Sequence, residues 1–166
     1  LHACDLAAAL QIPRVLIPAI PGVLSALGML VAAPTNDYSQ TIMRPFKVPD
    51  SSGLIAEIDT LYAQLTTRAI TDMTAEGHAP QSLTFQRSLD MRYTGQSYEL
   101  TIPYNPDALA AHFHAAHQQR FGYHRPAAPL QIVNLRLKTT AHSETRISQA
   151  ALSEIPNPTS AIPHPT

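Results

Sequence analysis

Leu89-Asp90-Met91-Arg92-Tyr93-Thr94-Gly95-Gln96-Ser97-Tyr98-Glu99-Leu100-Thr101-Ile102 is the stretch on which the reading of this chain turns. Apolar and polar side chains alternate on both sides of Gly95-Gln96, the period-two signature of two strands with one buried face each. Leu83 and Phe85 start the alternation and Tyr104 ends it. With glycine first in a two-residue turn, Tyr93 faces Tyr98, Met91 faces Leu100 and Leu89 faces Ile102 on one side of the hairpin. The same register sets Arg92 opposite Glu99 and Asp90 opposite Thr101 on the other side, so turn chemistry, apolar phase and charge agree.

Downstream, Pro106-Asp107 opens a helix with the apolar stripe Leu109, Phe113, Ala116 and Phe121, and Gly122 ends it. Val133, Leu135 and Leu137 then alternate with Asn134, Arg136 and Lys138, which gives the hairpin a third strand. Upstream, Leu54, Ile58, Leu61, Tyr62, Leu65, Ala69 and Met73 recur at helical spacing, with Ser51 or Ser52 as N-cap and Gly77 as terminator. Asn36 to Phe46 carries β-forming Tyr38, Thr41, Ile42 and Phe46, followed by a Pro-rich stretch. The expected class is α+β: a small antiparallel sheet, hairpin plus third strand, packed by a long amphipathic helix and a second helix.

The opening is different in kind. Helix is expected from Leu1 to Leu10, a short strand from Arg14 to Ile17, and a second helix from Val23 towards Val31 after Pro21-Gly22. A strand needs a neighbour, so this α/β piece is expected to find its partners in polypeptide ahead of Leu1 or in the later sheet. Helix from the first residue, with no initiator Met and no cap in front, reads as the middle of a larger protein. The expected organisation is residues 1–35 as the end of another lobe, 36–142 as an α+β domain, and 143–166 as a loose tail. Pro156, Pro158, Pro163 and Pro165 among Ser, Thr and Ala leave that tail too little apolar surface to offset its ordering entropy.

The 166 residues are 45% apolar, enough for one full core. Eleven basic and twelve acidic residues give a net charge of -1, which favours neither nucleic acid nor an anionic membrane as partner. The apolar run from Val23 to Ala33 is far short of the roughly 18 residues of a membrane span. The single cysteine, Cys4, cannot form an internal disulfide and sits among Ala and Leu, so it reads as a packed residue of a cytoplasmic protein.

Chemistry-bearing patterns are sparse. The six glycines are scattered, so no Gly-rich phosphate loop is present. Ser25, Ser97 and Cys4 lack an elbow motif or a neighbouring base in sequence, and no catalytic residue is assigned. His112, His114, His117 and His124 gather around one helix, but only His114 and His117 share a face and no Cys or carboxylate joins them at ligand spacing. His117 lies on the apolar stripe and reads as a core-edge histidine bonded to backbone, so no metal ligands are assigned. The polar sheet face carries more weight. Asp90, Arg92, Glu99, Asn134, Arg136 and Lys138 share it and, with the turn residues Gly95 and Gln96, form a candidate interface or site wall.

Four segments carry a resemblance to a known family: Leu1-His2-Ala3; Ile12-Pro13-Arg14-Val15-Leu16-Ile17-Pro18 with Pro21-Gly22-Val23-Leu24-Ser25-Ala26-Leu27-Gly28; Asp90 to Leu100; and Phe121-Gly122-Tyr123 with Val133-Asn134-Leu135-Arg136. In this order they resemble the end of the ATPase core and the C-terminal region of the hydantoinase A and oxoprolinase family. The resemblance implies an actin-like ATPase fold that activates a cyclic amide or carbonyl substrate with a B-type partner subunit, as in hydantoin and oxoproline ring opening and ketone carboxylation. It implies ATP and a divalent metal in a full-length member, with none expected in this fragment. The chain thus reads as the C-terminal piece of an ATP-dependent cyclic amide hydrolase, inactive alone. The alternative is a non-catalytic module docking the ATPase lobe or the B-type subunit.

Overall fold

The computed structural model describes residues 2–15, 22, 24–47 and 50–142. They separate into two compact units, one ending at Ala32 and one running from Ala33 to Ser143.

The first unit contains helix α1 (Ala3–Ala9) and helix α2 (Leu24–Val31). Of the strand expected over Arg14 to Ile17, Arg14 and Val15 have no regular structure and the rest lies outside the described residues. The tail expected over 143–166 lies outside them as well. Cys4 is exposed rather than packed: only Ala7 of the seven-residue α1 is buried, because so short a helix covers one side chain and no more.

The second unit is built from strand β1 (Thr35–Phe46), helix α3 (Ser52–Ala75), strands β2 (Leu83–Tyr93) and β3 (Leu100–Pro103), helix α4 (Leu109–Phe121) and strand β4 (Leu130–Ala141). The sheet has the order β1-β4-β2-β3, and every neighbouring pair is antiparallel. β1 is thus a fourth strand beside the three expected. Helices α3 and α4 supply Ile58, Tyr62, Leu65, Leu109 and Phe113 to a single core with Leu89, Met91, Ile102, Leu135 and Leu137 of the sheet. Burial at Ile58, Tyr62, Leu65, Ala69 and Met73 follows the helical period down α3 and fixes which face meets the sheet. Tyr62 donates its hydroxyl to the Ser88 carbonyl at 2.6 Å, so the ring enters the core without stranding its polar end. Gly122 stops α4 in the left-handed conformation, φ +79°, which costs glycine little.

The hairpin register holds at Leu89 with Ile102, Asp90 with Thr101 and Met91 with Leu100. The turn differs. β2 runs on beside β4 past the end of β3, pairing Tyr93 with Leu130, and the Thr94 amide donates to the Pro129 carbonyl at 2.8 Å. Gly95, at φ +87°, takes the third position of a turn closed by Gln96 N–H to the Tyr93 carbonyl at 3.0 Å. Tyr93 is therefore buried by β4 and α4, while Tyr98 is left 53% exposed with no strand partner. Phe121, expected on the buried stripe of α4, is also exposed: Leu109, Phe113 and His117 face the core, and Phe121 leans on Tyr98 instead.

Beside Asn134 the pairing slips. Asp90 pairs with Asn134 but Met91 pairs with Ile132, leaving Val133 as the extra residue of a β-bulge. On the other side, β1 steps from Thr41 opposite Asn134 to Arg44 opposite Ile132, and Met43 takes φ +50° there. Ile132 and Leu130, rather than Val133, join the core cluster on the side of Leu135 and Leu137. Among the described residues no helix is long and apolar enough to cross a membrane.

This register makes a test. Ile132→Ala removes a fully buried side chain from the main core and is expected to cost about 3 kcal/mol in urea unfolding. Val133→Ala is expected to cost less than half as much; the opposite ranking would move the bulge.

Candidate functional site

The two helices of the second unit cover one face of its sheet, and the other face is polar. At its centre Asp90 is completely buried. It accepts from Thr101 Oγ1 of β3 at 2.6 Å and from Asn134 Nδ2 of β4 at 2.9 Å. Arg136 Nε of β4 lies 2.9 and 2.7 Å from its two oxygens. Asn134 Oδ1 in turn accepts from Thr41 Oγ1 of β1 at 2.6 Å. One chain of hydrogen bonds thus links all four strands, on the polar side of the bulge. A buried carboxylate is costly unless paired and hydrogen-bonded, and here Asp90 is both. The Arg136 side chain stays 49% exposed, so the cation caps the carboxylate and faces outward.

With so many donors on it, Asp90 ties the strands together and holds a rigid polar floor. A cleft of about 290 Å³ opens over that floor, lined by Asp37, Gln86, Ser88, Thr101, Pro103 and Arg136. The structure thus gathers Asp90, Asn134 and Arg136 and adds Thr41 and Thr101. Thr41 was legible only as a β-forming residue, since nothing in sequence sets β1 beside β4. Arg92 and Glu99 do not pair. Arg92 Nε donates to Gln131 Oε1 at 2.9 Å, while Glu99 lies in the connection where the ladder has ended. Lys138 is exposed on the same face. Gly95 and Gln96 instead border a separate cavity beside His117.

That second region is aromatic. Tyr93 Oη accepts from the Arg125 amide at 2.7 Å and lies 3.0 Å from His114 Nδ1. The Arg125 guanidinium sits 4.7 Å over the Tyr93 ring centroid. Burial, and then the nearby His124 and His117 rings, pull the His114 pKa below its ordinary value. His117 is bonded to backbone, Nδ1 lying 2.7 Å from the Tyr123 carbonyl oxygen.

Two cofactor chemistries can be weighed against these residues. Among the described residues no group of three His, Cys, Asp or Glu side chains is placed to hold a metal ion. A nucleotide needs a cradle of backbone N–H groups and free cations for its phosphates. The six glycines are dispersed along the chain and Arg136 is committed to Asp90.

Asp90→Ala leaves Arg136, Asn134 and Thr101 without their acceptor and is expected to lower stability by about 2–3 kcal/mol, read by urea unfolding. A loss under about 0.5 kcal/mol would mean that solvent replaces the anchor. His114 yields a pH effect. Because its folded pKa is lowered, the unfolded chain binds a proton that the folded chain resists once pH drops below about 6.5, so folding stability falls there. The stability advantage of wild type over His114→Gln is expected to shrink between about pH 7.5 and 5.5. An advantage that grew on acidification would contradict the shift.

Residues 49–117 match the family described as Hydantoinase/oxoprolinase C-terminal domain. An uncharacterized protein of Methanocaldococcus jannaschii is 32% identical over 139 residues, covering 82% of this chain and 19% of that protein. The caprolactamase subunit alpha of Pseudomonas jessenii is 27% identical, over 98% of this chain and 24% of that protein. The chain therefore spans about a fifth to a quarter of the length of these relatives. The crystal structure of ATP-dependent caprolactamase from P. jessenii aligns with a TM-score of 0.70 at 25% identity, over 87% of this chain and 22% of that one. Nucleotide-free acetone carboxylase, from a study of ATP-dependent acetone carboxylation, shares the fold at a TM-score of 0.70 and 19% identity, over 76% of this chain and 20% of that one. Shared sequence, shared fold and the matched domain agree: the chain belongs to the C-terminal part of the hydantoinase/oxoprolinase family.

Proposed function

We propose that this chain is the C-terminal part of an ATP-dependent hydrolase of the hydantoinase and oxoprolinase type that opens cyclic amides, and that it serves assembly rather than chemistry. The relatives support the reaction class: one is named a caprolactamase subunit, and its solved structure is described as ATP-dependent. One observation carries the assembly role. Asp90, buried in the open face, accepts from Thr101, Asn134 and Arg136, so the central acid of that face is engaged in tying the strands together. What the face offers is a stiff polar surface with Arg136 and Lys138 pointing out of it, suited to hydrogen-bonded docking against the ATPase lobe of the same protein or a B-type subunit. In this reading residues 1–35 complete the ATPase lobe and 36–142 are the docking domain. ATP and a divalent metal act in the whole protein, in the cytoplasm, and the chain alone turns over neither ATP nor amide.

A second reading keeps the same face as a wall of the active site, favoured by the cleft over Ser88, Thr101 and Arg136. Lys138→Glu in the whole protein separates the two. Assembly followed by size-exclusion chromatography and ATP turnover should fall together, because turnover tracks the assembled fraction. Intact assembly with lost turnover would instead make the face part of the catalytic site.

A further inference from the structure

β1 is an outermost strand: among the described residues it pairs with β4 alone, and its other edge meets no strand. The phase of its hydrogen bonds is fixed at its start, where the Ala141 amide donates to the Pro34 carbonyl at 2.9 Å. Antiparallel ladders alternate, so Asn36, Tyr38 and Gln40 bond to Thr139, Leu137 and Leu135. The N–H and C=O groups of Thr35, Asp37, Ser39 and Thr41 therefore point away from β4, and no described residue beyond the ladder bonds to them. These four residues are exposed. Native sheets blunt such an edge with proline, a bulge or charge. β1 does so at its far end, where the register slips after Thr41, Met43 takes φ +50° and Pro45 lacks an N–H. Over residues 35–41 the edge is regular.

A groove of about 520 Å³ lies beside the start of this edge, lined by residues 35–38 of β1 and by Asp72, Ala75 and Glu76 of α3. Residues of both faces of β1 line it together, which places it at the side of the strand that β4 leaves open. Asp37, Asp72 and Glu76 bring three carboxylates to it, and no cation is among the described residues that line it. Two cations approach from outside the groove: Arg68 Nε lies 3.6 Å from Asp72, and Lys138 is opposite Asp37 in the ladder. Glu76 accepts from Asn36 Nδ2 at 3.0 Å and has no cation partner among the described residues.

We propose that residues 35–41 of β1 take up an extended strand of a partner protein that carries lysine or arginine at the positions facing the groove. Backbone donors and acceptors that recur at every second residue are complemented by another extended backbone, and the carboxylates select its side chains. A second copy of β1 would bring the same acids to both sides of the new ladder, which like charges disfavour. Outside the second unit this chain has two basic residues, Arg14 and Arg146, too far apart to occupy one strand. The inference concerns the edge and does not depend on the docking role of the open face.

Amide hydrogen exchange of the 166-residue chain, followed by NMR, reads the edge residue by residue. Adding the capped peptide acetyl-Lys-Val-Lys-Val-Lys-Val-amide is expected to slow exchange at Asp37 and Ser39 saturably, by about tenfold or more, while the Asn36 and Tyr38 amides, already held by β4, change little. The counterpart with Glu in place of Lys is expected to bind about tenfold more weakly. A lysine peptide N-methylated at every residue keeps the charge without the donors and is expected to leave both amides unprotected. Asp37→Lys with Glu76→Lys, both at exposed positions, is expected to reverse the preference between the two charged peptides. The wild-type comparison of the peptides needs no variant to fold. No saturable protection at millimolar lysine peptide, or an equal effect of the glutamate peptide, overturns the proposal. So does protection that rises with protein concentration alone, which would make a second copy the occupant.

Discussion

A single carboxylate organises the sheet. Asp90 is buried on the face that no helix of its unit covers, and Thr101, Asn134 and Arg136 converge on it from two neighbouring strands. Thr41 extends the chain of hydrogen bonds to the last strand through Asn134. A desolvated charge tolerates little misalignment, so this network constrains register across all four strands at one level of the sheet. The bulge at Val133 sits next to it. It lets Asn134 meet Asp90 on the polar face while Ile132 and Leu135 both reach the core on the other.

The two faces divide the work. On the closed side α3 and α4 bury Tyr62, Ile58, Leu109 and Phe113 against Leu89, Leu135 and Leu137, and that contact supplies the hydrophobic stabilisation. On the open side the same strands present side chains that are bonded to one another and turned outward. Such a surface adds little to stability but keeps its shape, which is what docking against another lobe requires. The aromatic cluster of Tyr93, His114 and His117 lies where α4 meets the end of β2, so the cavity beside it is supported by core residues rather than by a loose loop.

Periodic features were legible in the sequence and context-dependent ones were not. The alternation of Leu89, Met91, Leu100 and Ile102 predicted their register correctly, and the stripe from Ile58 to Met73 predicted the buried face of α3. Where the ladder ends was not legible, because the phase that carried Tyr93 onto Tyr98 continues through the connection whether or not the strands stay paired. β3 begins only at Leu100, so β2 runs on through Tyr93 beside β4 alone. The burial of Asp90 was hidden for a related reason: alternation marks a polar face as exposed, and only the neighbouring Arg136 and Asn134 close over it. Arg92 and Glu99 were misjudged with the turn, Thr41 was invisible until β1 found its neighbour, and Cys4 failed because α1 is too short to bury both its faces. The family resemblance, by contrast, needed none of this geometry, since it rests on the order of short motifs.

If the Asp90 network ties β3 to the rest of the sheet, that four-residue edge strand cannot open by itself. Native-state hydrogen exchange measures this directly. The Tyr104 amide donates to the Arg87 carbonyl at 3.1 Å, and the Ile102 amide takes the equivalent place opposite Leu89. Both should exchange only through global unfolding, with the same free energy and denaturant dependence as the amide of Leu135 in β4. Exchange of Ile102 and Tyr104 through a local opening, well below the global free energy and insensitive to denaturant, would contradict the account.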